Sequence, residues 1–311
     1  MASPGIALIK NVRILLSRIV YHLTPFSYVY WFSGNLNKLK RQMSLYFMIF
    51  PKRKKLFKNE LSYIMEKATE KQLHSFVIPY PFVENYLSEK IQVYKDDDNG
   101  LYYVIHQGKR LYYSRDYSTE SAVRENYNYI LIEQDADSPH SYISECFTVN
   151  QNDTVFDIGA AEGNFSLDVV ERVSSLYLFE TNEKWVEALQ ATFKPWEHKV
   201  HIINKYVCNS DSNTDISLNN FMGLHSVDFI KMDVEGAEVN ILRDIQNLIK
   251  ENRGVKFAVC TYHNHSDAKI IEHIFTECGY KHTYSSGYML FIHSKLRPPY
   301  FRRGLIRAYP A

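Results

Sequence analysis

The sequence predicts an α/β protein: a doubly wound, mainly parallel sheet with helices on both faces, preceded by a helical arm and a small β-meander. Three observations carry that expectation. After Asn150, short apolar runs alternate with helical segments, the rhythm of repeated β–α units. The first of those runs ends in "FDIGAAEGN", Phe156 to Asn164, where two glycines mark the turn from strand into helix. At the other end, "KHTYSS" and "YMLFIHS" flank Gly287 and read as an antiparallel hairpin that closes the sheet.

The chain has 311 residues, more than one typical domain, with the composition of a globular protein that can bury a sizeable core. Its net charge of +1 conceals an asymmetry. Residues 1–59 hold eleven of the 36 bases and no acid, which leaves 25 bases against all 35 acids beyond them, a net −10. A basic arm on an acidic body points to an anionic partner. Between Ile6 and Leu23, Lys10, Arg13 and Ser17 share one helical face while Ile9, Val12, Leu16, Ile19 and Val20 fill the other. The aromatic-rich stretch that follows ends in the basic cluster Lys52–Lys55. Two readings stand side by side for residues 1–59: peripheral contact with an anionic membrane surface, or helices packed on the body with solvated lysines. No apolar run approaches the ~18 residues needed to span a bilayer, and the start of the chain lacks the pattern of a cleaved signal.

Residues 60–150 form the next region. "IQVYKDDDNGLYYVIHQGKRLYYSR" alternates apolar and polar residues around two turn signals, Asn99–Gly100 and Gly108–Lys109, and predicts a three-stranded meander. Its tyrosines Tyr102, Tyr103, Tyr112 and Tyr113 either cover the small sheet or offer a sugar-stacking platform. "TESAVRENYNYILIEQ" predicts a helix before the loop "DADSPHSY", where His140 is read as part of a lid. The sheet domain follows over 151–296. Its strands are expected at "TVFDIG", "SLYLFE", "VHIINKYV", "VDFIKMD", "VKFAVCTYH" and the closing pair, with helices between them. The tail, 297–311, reads as extended. The four cysteines, Cys146, Cys208, Cys260 and Cys278, form no CxxC pair and suit reduced thiols of a cytoplasmic protein.

A parallel sheet binds its ligand beyond the carboxyl ends of its strands. The turn after the first strand lacks the G-x-G-x-x-G of a dinucleotide site, and its Asp157 and Glu162 would repel phosphates. Those acids suit a ligand with a positive centre. Glu180 ends the second strand, seventeen residues after Gly163, where an acid accepts ribose hydroxyls. Adenosine plus a cation outlines S-adenosylmethionine. "VDFIKMDVEGAEVNIL" then sets Asp233, Glu235 and Glu238 at another strand end, and "CTYHNHSD" sets His263 and His265 at the next.

"FDIGAAEGNFSL", "LFETNEKWVEAL" and "DFIKMDVEGAEVNIL", in this order, resemble the FkbM-type methyltransferase family over roughly Asp153 to Ser294. The resemblance implies the class I S-adenosylmethionine-dependent fold, seven strands with the last antiparallel, and O-methylation of a sugar or other natural-product hydroxyl. It places Asp157, Gly159, Ala160, Glu162, Gly163, Asn164, Phe165, Glu180 and Asp233 around the cofactor. It also puts Asp233 and Glu235 where catalysis occurs, and His263 beside them is the first choice of general base. Most familiar members carry "GAN" where this chain has "GAAEGN". The H-x-H and D-x-E residues together could hold a divalent metal, but the expected site contains none. A nucleic-acid acceptor is not expected, since "RPPY" in the tail is not the Asn/Asp-Pro-Pro-aromatic motif of base methylation. A glycan presented at the inner face of a membrane would suit both the basic arm and the hydroxyl chemistry.

Overall fold

The computed structural model describes residues 36–68, 76–251, 254–292 and 296–311. The amphipathic stretch expected between Ile6 and Leu23 lies outside them. The chain divides into two compact units, Met1–Val83 with Gly287–Arg303, and Glu84–Ser286 with Gly304–Ala311.

In the smaller unit, helices span Leu36–Ile49, Pro51–Leu56 and Lys58–Glu66. Leu36, Leu39, Met43, Tyr46 and Phe47 recur at helical spacing and are buried. They share a core with Leu61, Ile64, Leu290, Tyr300 and Phe301. Three short antiparallel strands complete the unit: Phe76–Val77, Met289–Phe291 and Phe301–Arg302.

The larger unit begins with the predicted meander, Val93–Lys95, Tyr102–His106 and Lys109–Tyr112. Its tyrosines pack against one another. Tyr94 stacks on Tyr103 at 5.3 Å between centroids, Arg110 lies over Tyr103, and Tyr112 and Tyr113 are buried. Next come α1 (Glu120–Glu133), whose first turn is capped by the Thr119 hydroxyl, β1 (Thr154–Ile158), α2 (Asn164–Val169) and β2 (Ser175–Phe179). Then follow α3 (Glu183–Phe193), β3 (Val200–Ile203), β4 (Phe229–Met232), α4 (Glu238–Asp244), β5 (Lys256–Cys260), α5 (Asp267–Glu277), β6 (Tyr280–Tyr284) and β7 (Leu305–Pro310).

The seven strands form one sheet in the order β3-β2-β1-β4-β5-β7-β6. The first five run parallel, and β7 lies antiparallel between β5 and β6. The central strands are apolar because both faces are covered: Val155, Phe156, Ile158, Phe229, Ile230 and Met232 are all buried.

Three expectations need correction. Met289–Phe291 does not pair with Tyr280–Tyr284; it joins the small sheet of the other unit. The antiparallel strand is supplied instead by the tail, so 305–310 is extended as part of the main sheet. The single strand expected over "VHIINKYV" breaks after Ile203, and Tyr206–Cys208 pairs with Asp215–Ser217 in a separate two-stranded sheet.

Candidate functional site

Register assembles the site. Ile158 lies opposite Phe179 on β2 and Met232 on β4, and Met232 lies opposite Val259 on β5. One residue further along, Gly159, Glu180 and Asp233 therefore meet at a common edge. They line a cleft of about 300 Å³ with Ala161, Trp185 and Glu235. A second cavity of about 530 Å³ shares Tyr206 and Val207 with it and carries Asn240, Arg243 and Asp244.

Gly159 has φ +78°, and a Cβ there would lie 1.9 Å from the Asp233 carbonyl oxygen. Only glycine lets the first loop pass so close to the end of β4. Gly163, at φ +76°, faces Leu189 and Phe193 of α3, so its missing side chain serves helix packing rather than ligand approach. Glu180 accepts backbone N–H groups from Ala161 (2.9 Å) and Asn182 (2.8 Å), which fixes its carboxylate at the cleft wall.

Asp157 sits differently from the sequence expectation. Its carboxylate is fully buried, 2.9 Å from the Lys231 ammonium, and accepts from the Ser166 hydroxyl at 2.7 Å. Asp157 and Lys231 are opposite one another in the β1–β4 ladder. Lys231 also donates to the Gly159 carbonyl. Burial disfavours its ammonium, yet Asp157 and Asp233 outweigh that and raise its pKa. The pair thus braces the loop from beneath, outside the cleft lining. Ala160 and Phe165 are buried too: the Ala160 N–H bonds the Phe179 carbonyl, and the Phe165 ring meets Tyr142 and Phe229. Asn164 opens α2. Burial raises the Glu162 carboxyl, opposed by hydrogen bonds that include one with Asn126.

Asp233 is the hub. It accepts from the Tyr142 hydroxyl (2.9 Å) and the Tyr262 hydroxyl (3.3 Å), with His140 Nε2 and His263 Nε2 each 3.6 Å away. Burial alone would raise its pKa. His140, His263 and Lys231 instead hold it well below the usual carboxylate range. Burial, reinforced by the charge on Asp233, lifts the Tyr142 and Tyr262 hydroxyls well above theirs, so both remain donors. His140 is buried rather than poised as a lid. Its Nε2 lies 3.3 Å from the Tyr262 hydroxyl, and its Nδ1 is 3.8 Å from Glu133.

His263 bridges acids: Nδ1 is 2.9 Å from Glu238, while Nε2 is 3.6 Å from Asp233 and 3.7 Å from Glu235. Burial works against its proton, but Glu238 and Asp233 prevail and raise its pKa. Glu238 is fully buried, whereas the Glu235 side chain is 90% exposed on a residue at φ +54°. Among the described residues, two groups bring ligand-type atoms within 4.8 Å of one another: His140, Asp233 and Cys260, and Asp233, Glu238 and His263. In the first, burial raises the Cys260 thiol well above its ordinary value, away from the thiolate a metal binds. In the second, the imidazole turns its two nitrogens to different carboxylates instead of converging with them.

Lys231, Tyr142, Tyr262 and Glu133 were not singled out from the sequence. Of these, only Lys231 carried a visible signal, a charge inside an apolar strand.

No curated protein matches the chain. Among solved structures, methyltransferase FkbM from Methylobacillus flagellatus KT is similar at 15% identity and a TM-score of 0.43, over 63% of this chain and 56% of that one. Precorrin-6y C5,15-methyltransferase from Geobacter metallireducens GS-15 is similar at 12% identity and a TM-score of 0.38, over 52% of this chain and 82% of that one. The chain thus spans little more than half the length of the first of these. The methyltransferase FkbM domain itself matches residues 112–282, from the end of the meander into β6, and by that match the chain belongs to the FkbM methyltransferase family.

Proposed function

We propose that the protein is an S-adenosylmethionine-dependent O-methyltransferase that acts on a saccharide hydroxyl. The observation that carries this reading is the acid-lined cleft at the carboxyl edge of β1, β2 and β4. Glu180, Asp233 and Glu235 face it, and Lys205 is the one base among its lining residues. Such a lining opposes phosphate and suits a ligand bearing a sulfonium and an ammonium. With each Glu180 oxygen held by one N–H, the carboxylate keeps lone pairs for two ribose hydroxyls. S-Adenosylmethionine supplies an electrophilic methyl group; the chain supplies position and a proton acceptor.

Holding acceptor and donor in line is worth up to ~7–11 kcal/mol, and a placed base adds typically about 10²–10⁴ in rate. Asp233, held ionised, is too weak a base for the second role. It provides the negative field that orients His263 instead. With the Nδ1 proton turned to Glu238, the Nε2 lone pair of His263 takes the hydroxyl proton. Because its pKa is raised, that base is free only above the usual imidazole range, so the rate climbs with pH there. Glu235 stands at the rim and steadies the imidazolium. The saccharide acceptor rests on the hydroxyl-methylating members that the sequence resembles.

Calorimetric titration of S-adenosylmethionine and its demethylated product tests the reading, with Glu180→Ala beside the wild type. Loss of a charge-assisted pair predicts roughly 10–100-fold weaker binding in the variant. No binding by folded wild type would end the methyltransferase reading. Binding without turnover on any hydroxylated acceptor would leave a cofactor-binding module.

A further inference from the structure

The helix Leu36–Ile49 buries one side in the core of its unit and turns the other outward. On that outer side Arg41, Leu45 and Met48 follow one another at i, i+4 and i+7. The chain runs directly into Pro51–Leu56, "PKRKKL", none of whose six residues is buried. Met48 is 74% and Leu56 57% exposed, and Leu45, Met48 and Leu56 are the exposed large apolar residues among the described part of this unit. Single exposed leucines are ordinary; three within twelve residues, interleaved with bases, are not scattered singly.

The charge is equally one-sided. Arg41, Lys52, Lys54, Lys55 and Lys58 are exposed and have no acidic partner among the described residues. Arg53 is the exception in use, since its guanidinium lies over the Tyr46 and Phe50 rings and it donates to the Tyr46 hydroxyl. The first acid of the whole sequence is Glu60, which is buried and accepts from the Tyr80 hydroxyl. The 35 residues before this helix hold Lys10, Arg13 and Arg18 and no acid, so they cannot neutralise the face.

We propose that Arg41, Met48, Lys52, Lys54, Lys55 and Leu56 form a docking face for an anionic lipid surface. A row of ammonium groups meets anionic headgroups, and the apolar side chains between them enter the headgroup–acyl boundary. Nucleic acid would use the bases but give Leu45, Met48 and Leu56 nothing to bury against, because its affinity comes from the phosphates. A lipid surface uses both halves of the pattern. This surface is independent of the methyl-transfer reading and stands if that reading fails.

Vesicle flotation with the full chain tests it, using phosphatidylcholine alone or mixed with phosphatidylserine, at low and raised salt. The wild type is expected to float with the anionic vesicles and to be released progressively by salt. Lys52→Glu/Lys54→Glu/Lys55→Glu should lower partitioning by roughly a hundredfold or more. Met48→Ser/Leu56→Ser should weaken binding while its salt dependence persists. An unchanged thermal transition and far-ultraviolet circular dichroism spectrum would show that the variants fold. Variants that float like the wild type would overturn the proposal, as would equal binding to both vesicle types. Displacement from vesicles by a short oligonucleotide at matched charge would reassign the face to nucleic acid.

Discussion

Around Asp233 the chain has gathered more ionisable groups than water would leave uncompensated, and their order explains their charge. Glu133, His140, Asp233, His263 and Glu238 form a line in which acids and imidazoles alternate. Each imidazole is flanked by carboxylates, which keeps both histidine pKa values up and Asp233 down. Glu133 ends that line. Burial lifts its carboxyl to about 7, only partly opposed by His140. In the folded protein it therefore keeps a proton that the unfolded chain releases near 4.5, so folding is favoured in acid. That contribution is complete below about pH 4.5 and is lost as pH rises through about 7. Glu133→Gln, a permanent mimic of the protonated acid, should match the wild type at about pH 4. It should exceed it by on the order of 2–3 kcal/mol at pH 8. Parallel curves of Tm against pH for the two proteins would show that the carboxyl is not held this way. From sequence, Asp233, Glu235 and His263 were readable because they end strands in a motif. Glu133 and Tyr142 were not, because only the folded chain brings helix α1 and the 138–142 loop to that edge, and Tyr262, although next to His263, is distinguished only by the hydroxyl it turns to Asp233.

Elements were legible where local pattern and tertiary role agree. The helix expected at "EKWVEALQATF" is α3, with the Asn182 side chain accepting from the Lys184 N–H at its start. The apolar runs of β1, β2, β4 and β5 each became the predicted parallel strand. The antiparallel strand misled because "YMLFIHS" is the more apolar candidate, while "LIRAYP" has an arginine at its centre and a proline at its end. The arginine is affordable only in three dimensions. Arg307 donates to the carbonyls of Ser141 (2.6 Å), Tyr142 (3.2 Å) and Ile143 (3.1 Å), which also fixes the loop that carries Tyr142 to Asp233. The turn between β1 and α2 is the element whose backbone is least replaceable. Gly159→Ala would combine an unfavourable positive φ with a Cβ 1.9 Å from the Asp233 carbonyl, where backbone must move. A loss of about 3 kcal/mol or more is expected, together with loss of cofactor binding. Gly163→Ala meets the flexible end of Leu189 and should cost less, about 1–2 kcal/mol. Denaturant midpoints rank the two; equal stability would mean that the loop does not approach β4 as closely as described.

At the scale of the whole molecule, the route of the chain matters more than any single contact. It leaves the larger unit after Ser286, supplies two strands to the smaller one, and returns at Gly304 to insert β7 between β5 and β6. No contiguous fragment contains the complete main sheet without also carrying the 287–303 excursion into the smaller unit, and an excision ending at residue 296 would remove an interior strand. Its loss would expose Leu305, Ile306 and Ala308 partners in β5 and β6 and release the three carbonyls that Arg307 holds. The break itself is narrow. The Ser285 N–H bonds the Leu305 carbonyl at 3.0 Å, so the two ends already lie side by side. A chain of residues 84–286 is therefore expected to be poorly folded and not to bind S-adenosylmethionine. The same segment joined to 304–311 through a short Gly/Ser loop should fold, because loop closure over so short a gap costs little. Calorimetric binding and near-ultraviolet circular dichroism distinguish the two proteins. Full binding by 84–286 alone would show that the sheet closes without β7, and failure of both would show that the larger unit cannot stand without residues of the smaller.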